Sequence, residues 1–533
     1  VSFIQSMAQT YASGLSFYDF DEDGWDDLTF PTNSDSILFY RNVNGTFQQI
    51  ESYVISIGSV RQIVWVDYDN DDDLDICISY HDMGIQLYQN DGNFNFTDVT
   101  GSAGLTTEPF QAYGFAFADP DTDGDLDLYI ASHEIPGIFL APKHNLYYEN
   151  QGNGSFIEKA QSLGIDNGYQ PTFMPAWFDY DNDDDLDLAI INDKEYWADA
   201  FYHNDNGVYV DTAAFLGYEN DGHNPMSLSI SDYNNDGYQD VFKTDVGSDV
   251  QINGVALNHK LYRNNSGTGF TELAQFSGLD TNIFSWGALW VDYDNDCFED
   301  LVIATALGSG TETLLYKNNA GSNFTLMNDS ITGSLVHTAF APIKGDINND
   351  GFYDVVVLNE LADPNVLLNS GNGNHHITLD LVGHYSNNQA IGAKIEVYAN
   401  GEHQTQTVFC GSGLCVQNSQ HKIFGLGNST TADSVIVTFP NGIVMKEYNL
   451  PADSNYVIHE QVTELVDLNL GVDTVSACPG DQFVIGTAGY INYEWSNGST
   501  DSLIVVQNSG CYSYEATNQE MDTLFVSNEV YFD

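Results

Sequence analysis

One acidic loop of ten residues recurs seven times along this 533-residue chain, at 19–28, 67–76, 119–128, 179–188, 232–241, 292–301 and 346–355. It reads D-x-[DN]-x-D-[GDC]-x-x-D-[LIV], and its first members stand 48, 52, 60, 53, 60 and 54 residues apart. A period near 50 describes an array of similar supersecondary units, each unable to bury its apolar face without its neighbours. The flanks of the loops alternate with period two and favour branched residues, as in LDLYIAS (126–132) and LDICISY (74–80) after a loop and YGFAFAD (113–119) and RQIVWVD (61–67) before one. Each loop therefore joins two strands. Seven such units predict an all-β fold with a seven-bladed β-propeller over residues 1–374.

The loop has the chemistry of a site for a hard divalent cation. Side-chain oxygens at positions 1, 3 and 5 of a tight turn converge on one point, position 7 adds its backbone carbonyl, and position 9 supplies a last carboxylate, which is the oxygen shell calcium takes. The expected ligand sets are Asp19, Asp21, Asp23, Trp25 and Asp27; Asp67, Asp69, Asp71, Asp73 and Asp75; Asp119, Asp121, Asp123, Asp125 and Asp127; and Asp179, Asp181, Asp183, Asp185 and Asp187. The last three loops give Asp232, Asn234, Asp236, Tyr238 and Asp240; Asp292, Asp294, Asp296, Phe298 and Asp300; and Asp346, Asn348, Asp350, Phe352 and Asp354. About seven calcium ions follow. Position 6 must turn sharply, which suits Gly24, Gly124, Gly237 and Gly351 and is open to Asp72 and Asp184, whereas Cys297 departs from the pattern in the sixth loop. Asn234 and Asn348 lower the ligand charge of the fifth and seventh loops. An EF-hand would need a bidentate Glu at position 12 and flanking helices, and here the flanks read as strands.

Each repeat also carries a strand and turn of the form LYRNNSGTGF (261–270), LYYENQGNGSF (146–156), LYKNNAGSNF (315–324) or FYRNVNGTF (39–47). With both signatures the chain resembles the FG-GAP/VCBS repeat family, whose integrin-like propellers carry a calcium loop between the first two strands of each blade. From residue 375 to 463 the acidic loops stop. NNQAIGAKIEVYANG (387–401), HKIFGLGN (421–428) and DSVIVTFPNG (433–442) resemble the ASPIC/UnbV domain that follows such repeats in bacterial secreted proteins similar to cartilage acidic protein. Residues 464–533, with CPGDQFVIGTAGYINYEWSNGST (478–500), are similar to Ig-like sandwich modules of bacterial surface proteins. There Trp495 is expected in the core and Asn497-Gly498 in a hairpin. Two small β-sandwich-type domains are thus expected after the propeller.

No apolar run reaches the ~18 residues of a spanning helix, and the first residue, Val1, suggests a chain whose export signal has been removed. The expected location is secreted or extracellular, at the cell surface. Cys410 and Cys415 could bridge the turn between them and Cys478 could pair with Cys511, whereas Cys77 and Cys297 read as unpaired. The net charge of −64 exceeds what the loops explain, since they hold 34 of the 77 acids. Such a surface repels nucleic acid and anionic membranes, and it fits either general solubility or attraction of cationic partners.

Three function classes remain, led by a calcium-binding adhesion module that recognises a glycan or a protein at the cell surface. The alternatives are a self-associating structural subunit of an extracellular assembly and a polysaccharide-degrading enzyme. An acid-polysaccharide lyase needs basic residues to neutralise uronate, and the chain has three arginines, Arg41, Arg61 and Arg263. No nucleophile motif, phosphate loop or zinc-spaced His pair is present, so no catalytic residue is assigned, and His375-His376 reads as the start of a strand. Ser13, Arg61, Tyr113, Phe173, Met226, Trp286 and Phe340 stand six residues before the loops. They either line the central funnel or pack between blades. Tyr196 and Trp197 either stack on a sugar or are buried. N-x-[ST] triplets, including those at Asn44, Asn153 and Asn264, fall partly within the repeat's own turn.

Overall fold

The computed structural model describes residues 14–31, 36–54, 59–134, 143–194, 196–218, 222–252, 255–306, 313–327, 338–359, 364–411 and 413–460. Beyond these it describes 462–468, 474–475, 483–486, 491–496, 503–506, 510–512, 514–517, 523–527 and 530–532. The chain divides into two compact units, Val1–Leu381 with Ser386–Val457, and Val382–Tyr385 with Ile458–Asp533.

Among the described residues of the first unit, the seven loops lie on seven successive antiparallel sheets. The third repeat shows the plan: Ala112–Ala118, Asp127–Ser132, Leu146–Asn150 and Phe156–Glu158 pair in chain order. The first two strands are buried along their whole length because neighbouring sheets cover both faces, so they read as near-continuous apolar runs. The first strands of successive repeats lie side by side, and Ala339–Gly345 of the last returns to Leu15–Tyr18 of the first. A Cβ on Gly345 would run into the Phe17 ring there, so this contact needs glycine. The fold is an all-β propeller. After the fourth strand of the third, fourth and fifth repeats a single helical turn (Ala160–Leu163, Ala213–Leu216, Ala274–Ser277) ends on a left-handed glycine, Gly164, Gly217 or Gly278. The sequence patterns of the strands did not announce these turns.

Residues 386–457 belong to the same compact unit as the repeats. Their main sheet runs in the order Glu402–Thr407, Lys394–Ala399, Thr431–Thr438, Val444–Pro451, and His375–Val382 begins a second one as expected. One short strand, Val416–Gln417, leaves this domain and pairs in parallel with Leu15 and Ser16 of the first repeat. The second unit contains short strands in three sheets, with Trp495 only 2% exposed; Asn497 and Gly498 lie outside the described residues.

Candidate metal centres

Strand register builds the loops. In all seven repeats the residue before position 1 pairs with position 9: Tyr18 with Asp27, Val66 with Asp75, Ala118 with Asp127, Phe178 with Asp187, Ser231 with Asp240, Val291 with Asp300 and Gly345 with Asp354. Position 9 is therefore held at the buried mouth of the hairpin. The position-1 carboxylate accepts the backbone N–H of position 5 at 3.0–3.2 Å and of position 6 at 2.7–3.1 Å in every loop. Position 5 in turn accepts the N–H of position 7 at 3.0–3.1 Å. Position 6 has positive φ throughout, including Asp72, Asp184 and Cys297, so the thiol residue keeps the turn. The side chains at position 7 face away from the centre where they are acidic: Asp185 accepts the N–H of Asn206 at 2.7 Å, and Asp125 accepts the Asn70 amide at 3.1 Å. That leaves the backbone carbonyl of position 7 as its contribution.

The donor set fits a hard cation. Carboxylate oxygens of Asp19, Asp21 and Asp27 lie within 4.8 Å of one another, as do those of Asp67, Asp69 and Asp71, of Asp119, Asp121 and Asp123, and of Asp179, Asp181 and Asp183. Asp75 is fully buried, and while one of its oxygens accepts the N–H of Asn90 at 2.7 Å, the other has no protein partner. A buried, unpaired carboxylate oxygen is costly without a counter-charge. Burial, reinforced by neighbouring carboxylates, pushes Asp19 and Asp67 up to about 6, Asp119 and Asp232 to about 7, and Asp27, Asp75 and Asp187 to about 9. The position-9 groups Asp27, Asp75 and Asp187 therefore favour either a proton or a metal ion at neutral pH.

Asparagines at two positions of the repeat, which the loop pattern did not flag, tie five of the seven neighbouring loop pairs together; among the described residues the first and second loops and the third and fourth are not joined in this way. Position 4 is left-handed in every loop. Where it is Asn, its amide donates to the position-6 carbonyl of the next loop: Asn70 to Gly124, Asn182 to Gly237, Asn235 to Cys297, Asn295 to Gly351 and Asn349 to Gly24, all at 2.9–3.1 Å. The second is the Asn of the strand-and-turn signature. Its N–H holds the position-9 carboxylate at 2.6–2.8 Å, and in most repeats its amide reaches back to the preceding loop, as Asn150 does to Tyr68 and Asn42 to Ile347. Asn264, one of the N-x-[ST] asparagines, is spent in this way and is buried, so it is not a glycan acceptor in the folded chain.

The loop-bearing face is covered by residues 386–427. Asn388 donates to Asp67 and Asp72 at 2.9 Å each, Gln389 accepts the N–H of Asp67 at 2.8 Å, and Gly427 donates to the carbonyl of Asn295 at 2.9 Å. A tongue from Cys410 to Gln417 enters the funnel between the first strands, where Leu414, Cys415 and Val416 join one apolar cluster with Tyr113, Phe173, Met226 and Phe340. Four of the seven candidate funnel residues are thus core, Arg61 is 8% exposed, Trp286 packs on Phe284 and Phe340, and Ser13 lies outside the described residues. Tyr196 is 64% exposed and leans on half-buried Trp197. Among the described residues Cys77, Cys297, Cys410 and Cys415 are free and buried, so the bridge open to Cys410 and Cys415 is not formed. The reason is packing: Cys415 Sγ turns to Met174 Sδ and Cys410 Sγ to the Trp65 carbonyl, each 3.9 Å away.

A family model described as FG-GAP-like repeat matches residues 19–78, 67–130, 179–242 and 292–357, and one described as ASPIC and UnbV matches 383–465. Comparison with curated proteins finds no match. Among solved structures, two crystal structures of BBS1N in complex with ARL6DN, one soaked with lead and one with mercury, are 10% identical with TM-scores of 0.43 and 0.44. They cover 69% of this chain and 95% and 96% of theirs. Among the described residues no helix is long and apolar enough to cross a membrane. Repeats and a domain of these two kinds point to an extracellular or binding role. The chain is a propeller of FG-GAP-like repeats carrying an ASPIC and UnbV domain.

Proposed function

We propose that this is a secreted, calcium-loaded binding protein that recognises a glycan or a protein at a cell surface and has no catalytic role. The observation that supports it is one oxygen cradle built seven times with the same hydrogen bonds, whose clustered carboxylates suit a hard cation. Calcium would be held by the side chains at positions 1, 3, 5 and 9 of each loop, and when bound it would neutralise their mutual repulsion. The chain's own residues do the rest: backbone N–H groups aim the position-1 carboxylate, and asparagine amides fix five of the seven loops against the next.

With the loop face covered by the ASPIC and UnbV domain, the partner meets the opposite end of the propeller. Basic and aromatic groups gather there: Arg61 donates to His81 at 3.1 Å and lies 4.7 Å over the Tyr113 ring, and His133 pairs with Asp193 at 3.0 Å. In a chain of net charge −64 with 13 lysines and arginines, Arg61 brings one of these few bases to this end. A second reading, a self-associating subunit of an extracellular assembly, is favoured by Phe215 and Phe276, 84% and 81% exposed beside the outer strands of the fourth and fifth repeats. Calcium-binding stoichiometry together with a glycan array and a cell-surface pull-down test the first reading. Several bound calcium ions and a partner lost in Arg61→Ala support it. Polysaccharide cleavage, or ordered polymers with no partner, would replace it.

A further inference from the structure

The seven loops differ at one register position outside the loop itself, the residue before the strand-and-turn asparagine. In the sixth repeat this is Lys317, whose ammonium group sits between Asp294 and Asp296, positions 3 and 5 of the loop, and 2.8 Å from the latter. In the second repeat it is Gln89, whose amide donates to Asp69 at 2.7 Å and brings no charge. His203 in the fourth repeat bonds Asp187 at 3.1 Å, and Arg41 in the first pairs with Asp21 but is itself 42% exposed. Arg263 holds the same position in the fifth repeat and is exposed, so Lys317 is the most enclosed of the three strong bases, 25% exposed and stacked 5.6 Å over the Tyr293 ring.

We infer that Lys317 is a tethered competitor of the metal ion in the sixth loop, so that this loop binds calcium more weakly than the second, whose corresponding residue is neutral. The inference rests on the calcium reading above. Its physics is direct: the ammonium group already supplies positive charge to two of the four ligand carboxylates, and a divalent ion entering the loop must break both contacts and meet a like charge nearby. The ring would then carry graded sites, with the sixth loop filling after the second as calcium rises. The outer strand, and not the loop motif, would set the grade.

Two reciprocal substitutions test this in the full chain by equilibrium dialysis against calcium, with far-UV circular dichroism as the folding control. Lys317→Gln, which installs the side chain of the second repeat, should move one site from the weak to the tight class, an affinity gain of about ten-fold or more at that site. Gln89→Lys should move one site the other way. Seven equivalent sites in the parent chain, or stoichiometry and affinity unchanged in both folded variants, would overturn the inference while leaving the calcium reading intact. Calcium absent from every loop in all three proteins would overturn both.

Discussion

Asn349 donates its side-chain amide to the backbone carbonyl of Gly24, 3.0 Å away and 325 residues earlier in the chain. The bond joins the last loop to the first and repeats, across the seam, the link that Asn70, Asn182, Asn235 and Asn295 make within the array. Asn42 closes the same seam in the other direction by donating to the carbonyl of Ile347 at 2.8 Å. The terminal repeats are therefore held by side-chain amides as well as by packing, and the first and third loops, with Glu22 and Thr122 at position 4, lack the forward link.

Asn349→Ala should destabilise the folded chain by about 1–3 kcal/mol, because it removes the seam bond and also places a Cβ-only residue at φ of 52°. Asn349→Gly separates the two causes, since glycine accepts that φ and should cost only about 1 kcal/mol. Denaturant unfolding of the two variants measures the difference. Equal losses would mean the seam bond, not the backbone conformation, carries the effect.

Gln417 is the anchor of the ASPIC and UnbV tongue. Its amide accepts from the Ser16 hydroxyl at 2.7 Å and the Trp65 N–H at 2.8 Å and donates to the Trp65 carbonyl at 2.8 Å, all buried. Gln417→Ala leaves those three groups unsatisfied and should cost at least about 2 kcal/mol, against under about 1 for an exposed glutamine such as Gln151. Limited proteolysis should show residues 386–457 cut first in the variant.

The repeat, its loops and their register are legible in the sequence because each loop is a local object: ten residues specify the turn, and flanking period-two strands specify the hairpin. What was not legible is non-local. Nothing in FCGSGLCVQ (409–417) says that the tongue will enter the propeller funnel, and a Cys pair around a Gly-Ser-Gly-Leu turn could be a bridge until the Met174 sulfur and the Trp65 carbonyl supply the contacts that the two thiols take instead. Likewise Asn at position 4 looks like an ordinary left-handed turn residue, and only the neighbouring repeat reveals that its amide has a carbonyl to reach.

The thiol assignment has a direct readout. Burial pushes the Cys415 and Cys297 thiols up to about 12 and raises the Cys410 and Cys77 thiols well above their ordinary value. Native protein should therefore leave these four unmodified by a thiol reagent, and denatured, unreduced protein should expose all four. Peptide mapping that recovers a Cys410–Cys415 disulfide would contradict it.

His259 gives the fold a pH dependence of known sign. Its Nδ1 accepts the N–H of Asp245 at 3.1 Å and its Nε2 faces Ser285 Oγ at 3.1 Å, a neutral arrangement, and burial pushes it from 6.5 down to about 3. As pH falls below 6.5 the unfolded chain takes up a proton that the folded one refuses, so this contribution is complete above 6.5 and is lost progressively toward 3. With calcium kept saturating, the stability of the parent chain should fall more steeply between these limits than that of His259→Gln, by up to ~1.4 kcal/mol per pH unit. Parallel pH profiles would remove His259 as the cause.

Removal of the proposed calcium should have the largest effect on stability. Each loop holds three or four carboxylates at its ligand positions, those at position 9 all buried, and without a cation they regain mutual repulsion and the cost of burial. A ligand bound only by the folded state stabilises it by about 4 kcal/mol at a thousand-fold excess over its dissociation constant, and several sites add. Chelator should therefore lower Tm by well over ten degrees, calcium should restore it, and magnesium should do so less well because it prefers a smaller octahedral shell. Asp75→Asn, which alters a fully buried position-9 group, should shrink that calcium-dependent shift while leaving the chelated protein little changed. A melting curve that does not move with chelator would mean that the carboxylates are neutralised by protons and that the loops are not calcium sites.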